Sequence, residues 1–123
     1  MKRKAVVLSS VLLVVLSLSL AAPALAMDEM QCDSPMDTIQ SLRDCVQHAY
    51  DMGFITNRGV FKTLMSEVSA AQIALDHGQV GAAIANLQAF IQTVSAQAGI
   101  SIDQVHADHM IMHAQMVIQA LGG

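Results

Sequence analysis

The chain has 123 residues, 54% of them hydrophobic and 13% charged, and six lysines and arginines stand against ten carboxylates for a formal net charge of −4. Lys2, Arg3 and Lys4 supply half of that cationic charge at the extreme N-terminus, so the remainder carries only Arg43, Arg58 and Lys62 against all ten acids. A sparse acidic surface without a Lys/Arg cluster cannot neutralise a phosphate backbone or an anionic lipid surface, which argues against nucleic-acid and membrane-surface partners.

Residues 1–26 read as an export signal. The charged start is followed by an apolar stretch over residues 5–20, and Pro23-Ala24-Leu25-Ala26 places small residues one and three positions before a cut after Ala26. The apolar run approaches the roughly 20 residues that span a bilayer, but the proline and paired alanines mark processing rather than anchoring. Cys32, the first cysteine, lies well past that cut, which argues against a lipid anchor. The expected product is a secreted or periplasmic protein, off the membrane once the signal is removed. It comprises an N-terminal arm over residues 27–34 and one helical domain over residues 35–121. A domain of this size is one whose core alone gives marginal stability.

Cys32 and Cys45 are the only cysteines, and an exported chain meets oxidising conditions, so a disulfide between them is expected. Closing that loop would stabilise the fold by about 3 kcal/mol in the chain-entropy picture. A redox-active or metal-thiolate role is the alternative, although the spacing is not Cys-x-x-Cys and no second ligand pair accompanies it.

Four helices follow, with no strand signal. Ser34-Pro35-Met36-Asp37 resembles a capping box with proline at the first helical position. Ile39, Leu42, Val46 and Ala49 then recur at helical spacing, predicting a helix over residues 35–52 that ends at Gly53. A second begins at Thr56 or Asn57, aligns Val60, Leu64, Val68, Ala71 and Leu75, and stops at Gly78 behind His77. His77 there is explained by its favourable place at a helix C-terminus. A third, over residues 79–98, carries Val80, Ala83, Leu87, Phe90 and Val94 and ends at Gly99. Ser101-Ile102-Asp103-Gln104 then offers a capping box for a last helix running to Leu121. Short connections between amphipathic helices of similar length predict antiparallel neighbours, hence an all-α fold: a small up-and-down bundle of about four helices after the signal peptide.

The stretch Ala70-Ala71-Gln72-Ile73-Ala74-Leu75-Asp76-His77-Gly78, followed by Ala83-Ile84, Leu87, Phe90-Ile91, Val94, Gly99, Ile102, Ala107, Ile111, Ala114-Gln115 and Ile118, resembles the FIMAH domain. That likeness covers residues 37–121. It implies an all-helical module of secreted bacterial proteins, with an interaction or accessory role and no catalytic residues to carry over. Here the module is expected to be the whole mature protein rather than an appendage, and the two cysteines and the His/Met-rich last helix fall outside the pattern.

That last helix holds the candidate chemistry. At about 100° per residue, Ala107, Met110, Ile111, Ala114, Val117, Ile118 and Leu121 form the core stripe, and His106, His109 and His113 fall within about 60° of one another on its flank. His109 and His113, four apart, can place two imidazoles on one ion, with His106 or Met116 as a third donor. A thioether beside imidazoles favours copper over zinc. Such a centre would be exposed and labile, and it lacks the glutamate of His-Glu-x-x-His. The alternative is that these histidines sit on a half-exposed structural face. Val105, Met112 and Met116, with Ile102, form an apolar ridge on the outward side that suits a protein partner or self-association. His48 has no assignable partner. No nucleophile turn, cofactor loop or fixed carboxylate pair points to an enzyme. Two expectations follow: a non-catalytic exported interaction module, or an extracytoplasmic copper, zinc or nickel binder.

Overall fold

The structure is a computed structural model and describes residues 36–123; the expected signal peptide, arm and Cys32 lie outside the described residues. Four helices follow in order: α1 Ile39–Asp51, α2 Arg58–Asp76, α3 Val80–Gln97 and α4 Gln104–Ala120. Each packs on its neighbours in sequence and α1 also packs on α4, so the bundle closes on itself. No helix among the described residues is long and apolar enough to cross a membrane.

The helix starts are set by single side chains. Thr38, in an extended conformation, accepts a hydrogen bond from the Ser41 amide and so starts α1. Asn57 does the same for α2 through the Val60 amide. Asp103 starts α4 through the His106 amide. Two expected helix starts are thereby corrected. The first helix begins at Ile39, where Thr38 supplies the cap; Ser34 and Pro35 of the expected box lie outside the described residues. Ser101 does not cap the last helix, because its hydroxyl donates to the Gln97 side chain while Asp103 takes the cap position. A side-chain oxygen at such a position is worth about 1 kcal/mol. Gly78 and Gly99 close α2 and α3 with φ of 72° and 74°, a left-handed conformation that costs a side-chain-bearing residue about 1–2 kcal/mol.

The buried stripes largely follow the predicted periodicity, except that Val80 at the start of α3 is exposed and His113 joins the buried side of α4. Leu42 and Val46 of α1 meet Leu64, Val68 and Ala71 of α2, Leu87, Phe90 and Val94 of α3, and Ala107, Met110, Ala114 and Val117 of α4 in one core. Ala71, Ala83, Ala107 and Ala114 are fully buried and keep the helices close. Burying each large aliphatic side chain contributes about 1.5–3 kcal/mol against exposure. Tyr50 and Phe61 stack with centroids 4.0 Å apart, fastening α1 to α2. The His77 imidazole lies 2.8 Å from the Ile73 carbonyl at the end of α2.

Two connections meet at one pole. The Thr56 amide donates to the Ser101 carbonyl at 2.8 Å and the Asp103 amide to the Phe54 carbonyl at 2.9 Å, making an antiparallel bridge at Ile55 and Ile102. Both isoleucine side chains are buried at 1% exposure. Ile102 therefore cannot belong to an exposed ridge, and that part of the expectation is corrected: the bridge turns it inward. Val105, Met112 and Met116 do lie exposed, at 73%, 47% and 40%.

Candidate metal centre

Antiparallel packing of α1 on α4 sets which residues face each other. Ser41 near the start of α1 meets His113, and Phe54, just past its end, stacks on His106 with ring centroids 3.6 Å apart. Between those two contacts, one turn beyond Ser41, lies Cys45. Donor atoms of Cys45, His109 and His113 all lie within 4.8 Å of one another.

The donors differ from the expected set in membership and in environment. His109 and His113 come together as their spacing predicts, with ring centroids 6.4 Å apart and planes nearly perpendicular. The third member is Cys45 from α1. His106 is engaged elsewhere, its Nδ1 2.7 Å from Asp103 Oδ2 and its ring on Phe54. That hydrogen bond holds the Asp103 carboxyl below its ordinary value. Met116 lies on the exposed outward side of α4.

The expected half-exposed histidine face holds for His106 and His109 and is corrected for His113. His113 is fully buried, Cys45 is 2% exposed, and the Nε2 of His109 and Nδ1 of His113 are sealed from solvent. Both α3 and α1 lie against α4, so its buried arc is wider than the apolar stripe alone indicates. Cys45 falls within the apolar stripe of α1, beside buried Leu42, Val46 and Ala49. Cys32, and with it the expected disulfide, lies outside the described residues.

A hydrogen-bond chain orients His113. Thr38 Oγ1 donates to Ser41 Oγ at 2.9 Å, and Ser41 Oγ donates to the Thr38 carbonyl at 3.0 Å. Ser41 Oγ also lies 3.0 Å from His113 Nε2, and if its proton stays on the Thr38 carbonyl, it is Nε2–H that donates to Ser41. That tautomer carries its lone pair on Nδ1. Metal-bound imidazoles are held in this way, one ring nitrogen on the ion and the other on a protein acceptor.

The dimensions suit an ion. Metal–sulfur bonds of about 2.3 Å and metal–nitrogen bonds of about 2.0–2.1 Å put donors of one centre roughly 3.3–3.8 Å apart. From separations of up to 4.8 Å the cluster needs to contract by about 1.5 Å at most, within the reach of side-chain rotations. The same groups suit nucleophilic catalysis poorly. A thiolate beside imidazoles is reactive only where a substrate can approach, and Cys45 and His113 are buried between helices.

No family model, curated protein or solved structure matches the chain.

Elsewhere, Glu67 on α2 is half-buried and accepts a hydrogen bond from the Thr93 hydroxyl of α3 at 2.7 Å. Burial pushes its carboxyl above the ordinary glutamate value, and the Thr93 hydrogen bond works the other way. Its Oε2 is sealed from solvent.

Proposed function

We propose that the protein is a small extracytoplasmic metal-binding helical bundle in which Cys45, His109 and His113 hold one transition-metal ion between the first and last helices. The observation that carries this reading is the convergence of a thiol and two imidazoles within 4.8 Å in a buried setting. The Ser41 contact that orients His113 supports it further. A thiolate with two imidazoles is a donor set for copper and zinc rather than for calcium or magnesium. Cys45 cannot serve a metal and a disulfide together, so this reading sets aside the Cys32–Cys45 bridge. Thiol titration of the unfolded, metal-free protein would find two thiols, whereas none would favour the disulfide.

The deciding experiment is calorimetric titration of reduced protein, purified without a histidine tag, with copper, zinc and nickel ions. One ion per chain is expected, with binding lost in Cys45→Ser and in a His109→Ala/His113→Ala double variant. Unchanged affinity in both variants would refute the proposal.

A second reading keeps the non-catalytic interaction role that the FIMAH likeness implies. It is favoured by the exposure of Val105, Met112 and Met116 along one side of α4. The two readings are compatible, although at about 100° per residue His109 borders this ridge on α4, while Cys45 and His113 are buried beneath it. Sedimentation at rising concentration tests self-association. If Met112→Lys leaves both oligomeric state and every partner interaction unchanged, the ridge has no such role.

A further inference from the structure

We infer that His109 is the exchange ligand of this centre: an ion enters and leaves past its imidazole, on the side of α4 that carries Met112, while Cys45 and His113 hold it from within. This rests on the metal-binding reading above and adds the route by which the site fills and empties. It applies to any ion that a thiolate and two imidazoles accept.

Access separates the three donors. Cys45 is 2% exposed and His113 is fully buried, whereas His109 is half-buried. The Nε2 of His109 is nevertheless sealed from solvent. Its ring therefore spans the wall of the site, with one edge among the buried groups and another at the surface. Rotation about its own side-chain torsions carries that ring outward without separating α1 from α4, and such rotations are far faster than helix displacement.

The inner pair is fixed by contrast. Cys45 has a short side chain set in the buried stripe of α1 with Leu42, Val46 and Ala49. His113 lies against Ser41, whose hydroxyl is itself held on the Thr38 carbonyl. Metal exchange proceeds when an incoming ligand reaches the ion before its last protein donor lets go. The donor that can swing toward solvent is the one that admits that ligand.

Helix geometry sets the cover over this route. Helical side chains lean toward the N-terminus, over the preceding turn. Met112, one turn after His109 and 47% exposed, is thereby placed over the turn that holds the ring. An unbranched thioether chain is pliable, so it shields the ring and still yields. On α1 the half-buried residue one turn beyond Cys45 is His48, which defines the rival route.

The test uses the reduced, untagged full chain. Zn(II) and Cu(I) are loaded separately, and stopped-flow mixing follows their release to pyridylazoresorcinol and bicinchoninate. Met112→Trp should slow uptake and release together by about tenfold, and Met112→Ala should speed both by about threefold, with the dissociation constant unchanged within about twofold. Equal changes in both directions mark a gate rather than a ligand. Gln115→Trp, at an exposed position on the polar strip of α4, should leave both rates unchanged. Uptake of one ion per chain with rates unaltered in both Met112 variants would overturn the route and keep the metal reading. Release altered by His48→Ala instead would place the route on α1, and equal slowing by Gln115→Trp would remove its link to His109; either result overturns the inference. Uptake of neither ion would overturn the metal reading and the route with it.

Discussion

Replacing Ser41 by alanine deletes the acceptor of His113 Nε2 while leaving the helix cap in place, because Thr38 caps α1 through the Ser41 amide rather than its hydroxyl. Two separable losses are expected. In the metal-free protein the Nε2–H of a fully buried ring is stripped of its partner, which costs about 1–3 kcal/mol. For a domain of this size each kcal/mol lowers Tm by about 4–8 °C. In the metal-bound protein the ring is no longer held by that partner, and loss of such an orienting partner weakens binding by about 10–100-fold. The assay pairs thermal denaturation with and without metal against competitive titration. Long-range proton–nitrogen spectra of the native protein should show the proton of His113 on Nε2. A fall in Tm with metal affinity unchanged would refute the orienting role, leaving Ser41 as an ordinary structural hydrogen bond.

Other expectations follow from neighbouring geometry. His106→Ala should leave metal affinity within about twofold, since that ring is spent on Asp103 and Phe54, and stability should fall by about 0.5–1.5 kcal/mol in urea denaturation. The Glu67 carboxyl has a folded value above its ordinary 4.5, so the folded state binds the proton more tightly than the unfolded chain. Its stabilising contribution is complete below that ordinary value and is lost as pH rises through the folded one. Glu67→Gln should therefore flatten the decline in urea midpoint above pH 4.5 and leave the neutral-pH protein at least as stable; an unchanged slope would contradict this. Gly78→Ala meets open space at the new Cβ, so its expected cost of about 1–2 kcal/mol comes from the backbone conformation alone. Calorimetry showing no fall in Tm would refute that.

The four helices were legible because their apolar residues recur at one period and three of the glycines stand where helices end. Leu87, Phe90 and Val94 fall in the core as their spacing requires. The caps were less legible because Ser34, Thr38, Ser101 and Asp103 all offer suitable oxygens. The choice among them depends on competing bonds such as Ser101 to Gln97. The site was half legible. His109 and His113 announce themselves by lying four apart, but Cys45 is brought to them only by the packing of the first helix on the last, which are far apart in sequence. The available signal was that Cys45 sits in the buried stripe of α1 between Leu42 and Ala49. Helical angles placed His113 on the flank of α4, and they carry no information about the second helix that covers it. Ile102 was misplaced for a similar reason, since no local pattern foretells the bridge to Ile55.

The joining of the α1–α2 and α3–α4 connections at one pole means that the described chain enters and leaves the bundle at the other, beside the exposed turn at His77, Gly78 and Gln79. Chain order and spatial order are thus nearly interchangeable. A circular permutant that links Gly123 back to Met36 through a short flexible tether and opens at Gly78 would keep every helix pair described above. In that rearranged chain α4 would run directly into α1, making the helices that carry Cys45, His109 and His113 consecutive. The α1–α4 pair would become a local hairpin while the more extensive α2–α3 pair became the long-range one, so slower folding is expected from the longer contact distances.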